Sequence, residues 1–191
     1  GIPFYNSEAT LLLAVRSVFA QTFTDWELLL VDDGSTDRSS TIAAGISDPR
    51  VKVVSDGVNR GLPYRLNQIA ELASRDLLAR MDADDCMHPQ RLTHQISMLR
   101  QAPALDVVGT AAYTIDAADN PIGLRGYAPR DMSPQSILRR SPFIHPSVTG
   151  RTRWFRDNPY DESFPRSEDH ELWCRTCRKS SFAALRRPLI Y

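Results

Sequence analysis

The feature that most constrains this chain is the alternation, through its first hundred residues, of strand-length apolar runs with stretches of helical period. Trp26 to Val31, Val51 to Val54 and Asp76 to Met81 have the length and character of buried strands. Between and around them, Leu11, Val15, Val18 and Phe19 recur at helical spacing, and so do Leu66, Ile69, Ala70 and Ala73. Leu92, Ile96 and Leu99 repeat the pattern beyond Pro89. Asn6 or Ser7 is expected to cap the first helix, which should run to about Gln21, and a short helix passes through Ile42 and Ala43. The order β-α-β-α-β-α-β with short links predicts an α/β fold, a mainly parallel sheet with helices on both faces.

In such a sheet the carboxyl ends of the strands line the crevice where ligands bind, and in this chain acids stand there twice. Asp32-Asp33-Gly34-Ser35-Thr36-Asp37 follows one strand and Asp82-Ala83-Asp84-Asp85 another. Two carboxylates ~4 Å apart at an effective dielectric of ~20 repel by roughly 4 kcal/mol, so a crowded trio needs a cation, shared protons or full solvation. Oxygen-only ligands suit magnesium or manganese rather than zinc. A calcium loop counted from Asp82 fails, because Met87 stands where glycine is required and Thr93 where glutamate is. The bland readings are a solvated loop for the trio and turn or cap roles for Asp33 and Asp37. Neither glycine-rich phosphate motif is present. Acids fit the other solution, a metal bridging carboxylates to a diphosphate, with Asp33 free to accept hydrogen bonds from a base or ribose.

Lys plus Arg equals Asp plus Glu at 23 each, so no net field draws nucleic acid or anionic lipid, and an anionic ligand must be held locally. The three cysteines, Cys86, Cys174 and Cys177, make a disulfide framework unlikely to arise and fit a reduced, cytoplasmic compartment. Cys174-x-x-Cys177 has no second pair and reads as two half-buried thiols rather than a zinc site. No apolar run approaches the ~20 residues of a spanning helix. Gly1-Ile2-Pro3 reads as the end of a strand whose first half is absent, and the chain stops inside apolar Leu189-Ile190-Tyr191. Residues 1–191 are therefore expected to form a single domain trimmed at both ends.

Beyond Gln101 the rhythm loosens. Leu105 to Ile115 reads as one or two strands, Asp116 to Asn120 as a turn, and Ile122 to Arg125 as a return strand. Ser133-Pro134 caps a short helix ending near Arg140. Phe143 to Val148 is expected to be a strand and Trp154 to Phe164 a loop over the site. Glu168-Asp169 opens a helix through Leu172 and Trp173, and a last strand starts at Phe182.

These residues resemble a known family. Pro3-x-Tyr5-Asn6, the run Glu27 to Asp37, Asn59-Arg60-Gly61, Asn67, Asp82-x-Asp84-Asp85 and Glu168-Asp169 are similar in order and spacing to the inverting family 2 glycosyltransferases, from the first residue to about Arg175. His145-Pro146-Ser147-Val148 and Tyr160-Asp161-x-x-Phe164 resemble members that build bacterial surface polysaccharides. The resemblance implies the GT-A fold, a three-layer α/β/α sandwich, and metal-assisted transfer from a nucleotide-diphosphate sugar, by default a UDP-sugar, to a saccharide or lipid-linked acceptor. It implies that Pro3 and Tyr5 line the base, that Asp33 accepts from a uracil imide, that Asp82 meets the ribose or the metal, and that Asp84 holds Mn²⁺ or Mg²⁺. Asp169 is then the catalytic base, at a helix start where the dipole favours the ionised form. Arg60 is either a solvated loop charge or a diphosphate contact, and His145 orients a loop. No nucleic-acid partner is implied, and peripheral association with the inner face of the cell membrane is compatible with a lipid-linked acceptor.

Two rival readings differ in class. An aspartate-nucleophile phosphatase needs Asp-x-Asp, whereas the adjacent Asp32-Asp33 would point to opposite faces of a strand. A non-catalytic nucleotide-sugar-binding domain would bind donor without turnover.

Overall fold

The computed structural model describes residues 1–116, 118, 120–126 and 131–191. Strands β1 (Ile2–Phe4), β2 (Leu28–Asp32) and β3 (Val51–Ser55) form parallel ladders in register Ile2↔Leu30 and Leu28↔Val51. On the other side of β1, the Gly1 nitrogen donates to Ala79 O (2.7 Å) and Met81 N–H to Gly1 O (3.2 Å). That is the bonding of a parallel pair, so β4 (Leu77–Ala79) runs the same way. Pro3 has no N–H with which to continue the pairing, and the strands part beyond Gly1. The parting separates the carboxyl ends of β1 and β4, the position at which open α/β sheets bind ligands.

The second half of the sheet is mixed. Strand β5 (Val107–Ile115) pairs antiparallel with β6 (Pro121–Arg125) and with β7 (Thr149–Arg151), and β7 pairs antiparallel with β4. Strand β8 (Phe182–Pro188) lies parallel to β5. The expected parallel sheet is therefore realised from β3 through β4, and a mixed set of antiparallel pairs with the parallel β5–β8 pair completes it.

Helices cover both faces. All five residues of β2 are buried. Leu28 and Leu30 pack with Leu11, Val15 and Val18 of α1 (Leu11–Phe19) and with Leu92 and Ile96 of the helix over Arg91–Gln101. Leu29 and Val31 pack on the other face with Leu66 and Ile69 of the helix over Leu62–Leu72, and with Leu172 and Trp173 of the helix over Glu168–Thr176. A strand buried on both sides reads as a continuous apolar run because neither face meets water. In chain order the helices are α1, α2 (Ser39–Ala44), α3 (Leu62–Leu72), α4 (Arg91–Gln101), α5 (Pro134–Ile137), α6 (Thr152–Asp157) and α7 (Glu168–Thr176).

Three local expectations are corrected. Neither Asn6 nor Ser7 caps α1, which starts at Leu11 and stops at Phe19. The Asn6 side-chain oxygen instead accepts from Thr36 N–H (2.8 Å) and Asp37 N–H (3.3 Å), with its backbone in the left-handed region (φ 49°). Phe143 to Val148 is not a strand: His145–Ser147 forms a 3-10 turn around Pro146, and the strand begins one residue later at Thr149. Trp154 belongs to helix α6, buried and stacked on Trp173 (6.0 Å between centroids, 15° between planes), so only the part after Asp157 is loop. Ser133 does cap α5, accepting from Ser136 N–H. Of the turn expected over Asp116 to Asn120, residues 117 and 119 lie outside the described residues; Asp116 accepts from Ala118 and Asn120 N–H. No helix among the described residues is long and apolar enough to cross a membrane.

Candidate active site

The end of β2 separates its two acids by function. Asp32 is consumed by the fold: Oδ1 accepts from Ser35 N–H, and Oδ2 from the hydroxyls of Ser40 (2.7 Å) and Ser55 (2.8 Å). Burial alone would raise its pKa, but these hydrogen bonds outweigh it and hold the carboxyl below its ordinary value. Asp33 points the other way. Its Oδ1 accepts from Arg60 N–H (2.8 Å) and Arg65 Nε (2.9 Å), and Gly61 N–H is shared between Oδ1 and Oδ2. Oδ2 carries only that shared bond and keeps room for one more donor. Gly34 makes the loop contact possible: its φ is +75°, and a Cβ there would lie 2.7 Å from Asn59 N.

Arg65 is fully buried and also bonds Asp56, Gln68 and the Val58 carbonyl, so the Asp33 carboxylate is fixed from beneath. Arg60 turns its Nε onto Asp56 (3.0 Å) and stands over the Tyr64 ring. Pro3 is buried in β1, and Tyr5, 47% exposed, stands just past the strand's end.

After β4, Asp82, Asp84 and Asp85 each offer a carboxylate oxygen within 4.8 Å of the others. Asp84 is exposed and Asp82 half-buried, with one Asp82 oxygen held by the Arg80 guanidinium. Asp85 is the strained member. Burial, then the charges of Asp82 and Asp84, push its pKa up to about 7, and its buried Oδ2 has no hydrogen-bond partner among the described residues. An orphaned acid oxygen in an oxygen-only cluster fits a hard divalent cation.

Beneath the acids lie two buried guanidinium groups. Arg80, 4% exposed, leaves Nε and Nη1 without partners among the described residues. Arg91 donates to the carbonyls of Arg80 and Val148 and to Gln95, and burial brings its pKa down to about 9.

Two further acids open α7. Glu168 is buried, with Oε1 3.9 Å from His145 Nδ1. Asp169 is half-buried and accepts from the Ser141 hydroxyl at 3.4 Å. Burial pushes the His145 pKa well below the ordinary histidine value, aided by the Arg80 charge, so its ring is neutral and its contact with Glu168 is not an ion pair. The same ring meets the Tyr160 hydroxyl at 3.0 Å. Burial raises the Tyr160 pKa; the Arg80 charge opposes this, and the smaller effects of Asp169, Glu168 and Asp82 add to it.

Of the sequence-predicted residues, Asp33 follows β2, Asp82 and Asp84 cluster with Asp85 beyond β4, and Asp169 lies in the first turn of α7. Sequence reasoning did not single out Arg80, Arg91 or Arg65. The available signal was a lone charge inside an otherwise apolar run, Leu77-Leu78-Ala79-Arg80-Met81, which a buried strand tolerates only where a partner charge exists. Cys174 and Cys177 are free thiols on and just past α7, bonding to carbonyls of Ile137 and Cys174. A cavity of about 320 Å³ lies at the other ends of the strands, among Trp26, Leu28, Leu77 and Ile96, and none of the candidate site residues lines it.

The chain is similar to several known proteins. EpsE of Bacillus subtilis (strain 168) is 34% identical over 180 residues, covering 90% of this chain and 63% of EpsE. The Escherichia coli UDP-Glc:alpha-D-GlcNAc-diphosphoundecaprenol beta-1,3-glucosyltransferase WfgD is 28% identical over 185 residues, covering 96% of this chain and 71% of WfgD. Among solved structures, S. aureus TarS 1-349 superposes with a TM-score of 0.80 at 20% identity, covering 100% of this chain and 58% of that one. The mannosyltransferase PcManGT of Pyrobaculum calidifontis, in complex with GDP-Man and Mn²⁺, superposes at 0.70 with 16% identity, covering 98% of this chain and 53% of that one. These likenesses show the GT-A-like fold, and this chain spans between about half and three-quarters of each relative's length. The sequence profile of Glycosyl transferase family 2 matches residues 1–164, and with both acid-bearing strand ends inside the match the chain belongs to that family.

Proposed function

We propose that this chain is the donor-binding and transfer domain of an enzyme that moves a sugar from a UDP-sugar to a saccharide or lipid-linked acceptor, with inversion and with a divalent cation. The observation that carries the reading is the cluster of Asp82, Asp84 and Asp85, whose carboxylate oxygens lie within 4.8 Å of one another with a buried Asp85 oxygen left unpartnered, beyond a strand of a family 2 fold. TarS has a structure in complex with UDP-GlcNAc, and the name of WfgD specifies a UDP-Glc donor and a diphosphoundecaprenol acceptor; both support the substrate class.

In this reading Tyr5 and Pro3 flank the nucleobase, and the remaining acceptor site on Asp33 Oδ2 takes the imide N–H. Arg60 stands at the diphosphate's approach, tethered to Asp56. Asp84, Asp85 and the free oxygen of Asp82 would hold Mn²⁺ or Mg²⁺, which supplies Lewis-acid stabilisation to the departing diphosphate. Asp169 takes the proton of the acceptor hydroxyl as it attacks the anomeric carbon. The hydroxyl oxygen forms the new glycosidic bond, the bond to the diphosphate breaks, and attack from the opposite face inverts the centre without a covalent intermediate.

The test is transfer by Asp169→Asn in the full-length protein with UDP-sugar donors. The substitution keeps size and hydrogen-bonding reach but removes the proton affinity, so kcat should fall by about 10²- to 10⁴-fold with nucleotide binding retained. Near-normal kcat in Asp169→Asn, with collapse in Glu168→Gln, would move the base to Glu168. Nucleotide-sugar binding without turnover in the unaltered full-length protein would leave a binding domain.

A further inference from the structure

A chain of contacts runs from α3 through Tyr160 and the His145 turn to α7, and none of the roles assigned above requires it. The Tyr160 backbone is clamped on α3: its N–H donates to Asn67 Oδ1 (2.8 Å) and its carbonyl accepts from Asn67 Nδ2 (2.9 Å). The same helix begins at the loop whose Arg60 and Gly61 N–H groups hold Asp33. At its other end Tyr160 reaches His145 Nε2 (3.0 Å), and the opposite ring nitrogen faces Glu168 at 3.9 Å. The imidazole also lies edge-on to Trp173 of α7 (6.5 Å, 83°).

A neutral imidazole has one N–H. The Glu168 carboxylate favours that proton on Nδ1, which leaves Nε2 to accept from the Tyr160 hydroxyl. The Asn67 amide, the Tyr160 backbone and the Tyr160 hydroxyl are then paired inside the protein, while Nδ1–H faces the Glu168 carboxylate at 3.9 Å, an electrostatic contact longer than a hydrogen bond. Asp169 by contrast is held by little of its own, a 3.4 Å contact from Ser141 and the start of α7. Its distance from the β4 acids is therefore set by how α7 is seated.

We propose that Asn67, Tyr160 and His145 are positioning residues for the transfer step: they seat the α7 acid pair opposite Asp82, Asp84 and Asp85, and connect that spacing to the loop that holds Asp33. This rests on the transfer reading above. The relay acts on geometry, where an error of ~1 Å at the reacting centre can cost about 10²-fold in rate.

The experiment is steady-state kinetics of the full-length protein with a UDP-sugar donor and Mn²⁺, alongside thermal melting. Tyr160→Phe removes a single oxygen, His145→Leu removes both ring nitrogens, and His145→Gln restores a hydrogen-bonding group. Tyr160→Phe and His145→Leu should each lower kcat roughly tenfold with donor KM within about twofold. The double variant should be no slower than the worse single, because both break one chain of contacts. His145→Gln should recover part of the loss. A kcat within twofold of the unaltered protein in both singles overturns the proposal. So does a loss confined to donor KM, losses that multiply in the double variant, or a fall in melting temperature with kcat per folded molecule unchanged. Asp169→Asn run in parallel separates the two readings. If that variant stays active while the coupled losses persist, the base assignment fails and the relay stands; if it is inactive while Tyr160→Phe is normal, only the relay fails.

Discussion

Asp85 is the residue where composition and position matter in opposite directions. As one of three clustered acids it would add a ligand to the proposed cation site; with its Oδ2 buried and unpartnered, it is costly to ionise without a cation. Its folded pKa of about 7 lies above the ordinary 3.8, so its stabilising contribution is fully present below the unfolded value and is lost as pH rises through about 7. In chelator, the melting temperature should therefore fall more steeply from pH 5 to 7.5 than in Asp85→Asn, and Mn²⁺ should remove most of that difference. Equal slopes for the two proteins in chelator would show that Asp85 carries no such penalty. Asp84 is exposed, so Asp84→Ala should leave melting within about 0.5 kcal/mol of the unaltered protein. Binding of UDP to that variant, measured by calorimetry with and without Mn²⁺, should no longer tighten on adding the metal. The acid cluster was legible in the sequence as three carboxylates at a strand end. Which of them carries the buried, unpartnered oxygen was not, because that depends on Arg80 and Arg91 filling the space beneath, and no local pattern encodes the bond from Arg91 of α4 to the Arg80 carbonyl.

Elements were legible where periodicity and burial agree. Strand β2, buried on both faces, and α3 and α4, each with one apolar stripe, follow from their own residues. The misread stretches share a cause. Phe143 to Val148 has strand composition, but Pro146 lacks an N–H, and Ser147 N–H closes on Ile144 O (2.9 Å) instead of pairing with a neighbouring strand. Trp154 and Phe155 sit in a six-residue helix too short to show a period, next to a Pro-rich stretch that suggests loop. Their helical state follows from the aromatic cluster they join, in which Trp154 contacts Trp173 and Phe182, both distant in sequence. The distinction has a measurable consequence. As a buried core residue, Trp154→Ala should cost about 3–5 kcal/mol in denaturant unfolding; an exposed loop residue would cost about 0.5 kcal/mol or less. A small loss would return Trp154 to the loop that its sequence suggests.

At the scale of the molecule, the proposed function puts donor binding on the parallel half of the sheet from β3 to β4 and the acceptor on the side of the mixed half and α7. If the two halves act together on a nucleotide sugar, the base should be selected on the β2 side by hydrogen-bond polarity. The open position on Asp33 Oδ2 accepts and cannot donate, while Oδ1 is saturated by Arg60, Arg65 and Gly61. Uracil and thymine present an N3–H to such an oxygen; cytosine presents a lone pair at the same atom, and a lone pair against a carboxylate leaves both unsatisfied at about 1–3 kcal/mol. UDP and dTDP with Mn²⁺ should therefore stabilise the protein and CDP should do so at least tenfold less tightly. Free nucleotide at one hundred times its Kd contributes about 2.7 kcal/mol, which for a chain of this size raises the melting temperature by about 5–10 °C. Thermal melts across a nucleotide series, each with Mn²⁺ and with chelator, make the comparison in one experiment. If CDP raised the melting temperature as much as UDP, Asp33 would not be reading the base, and its bonds to Arg60, Gly61 and Arg65 would be the whole of its role.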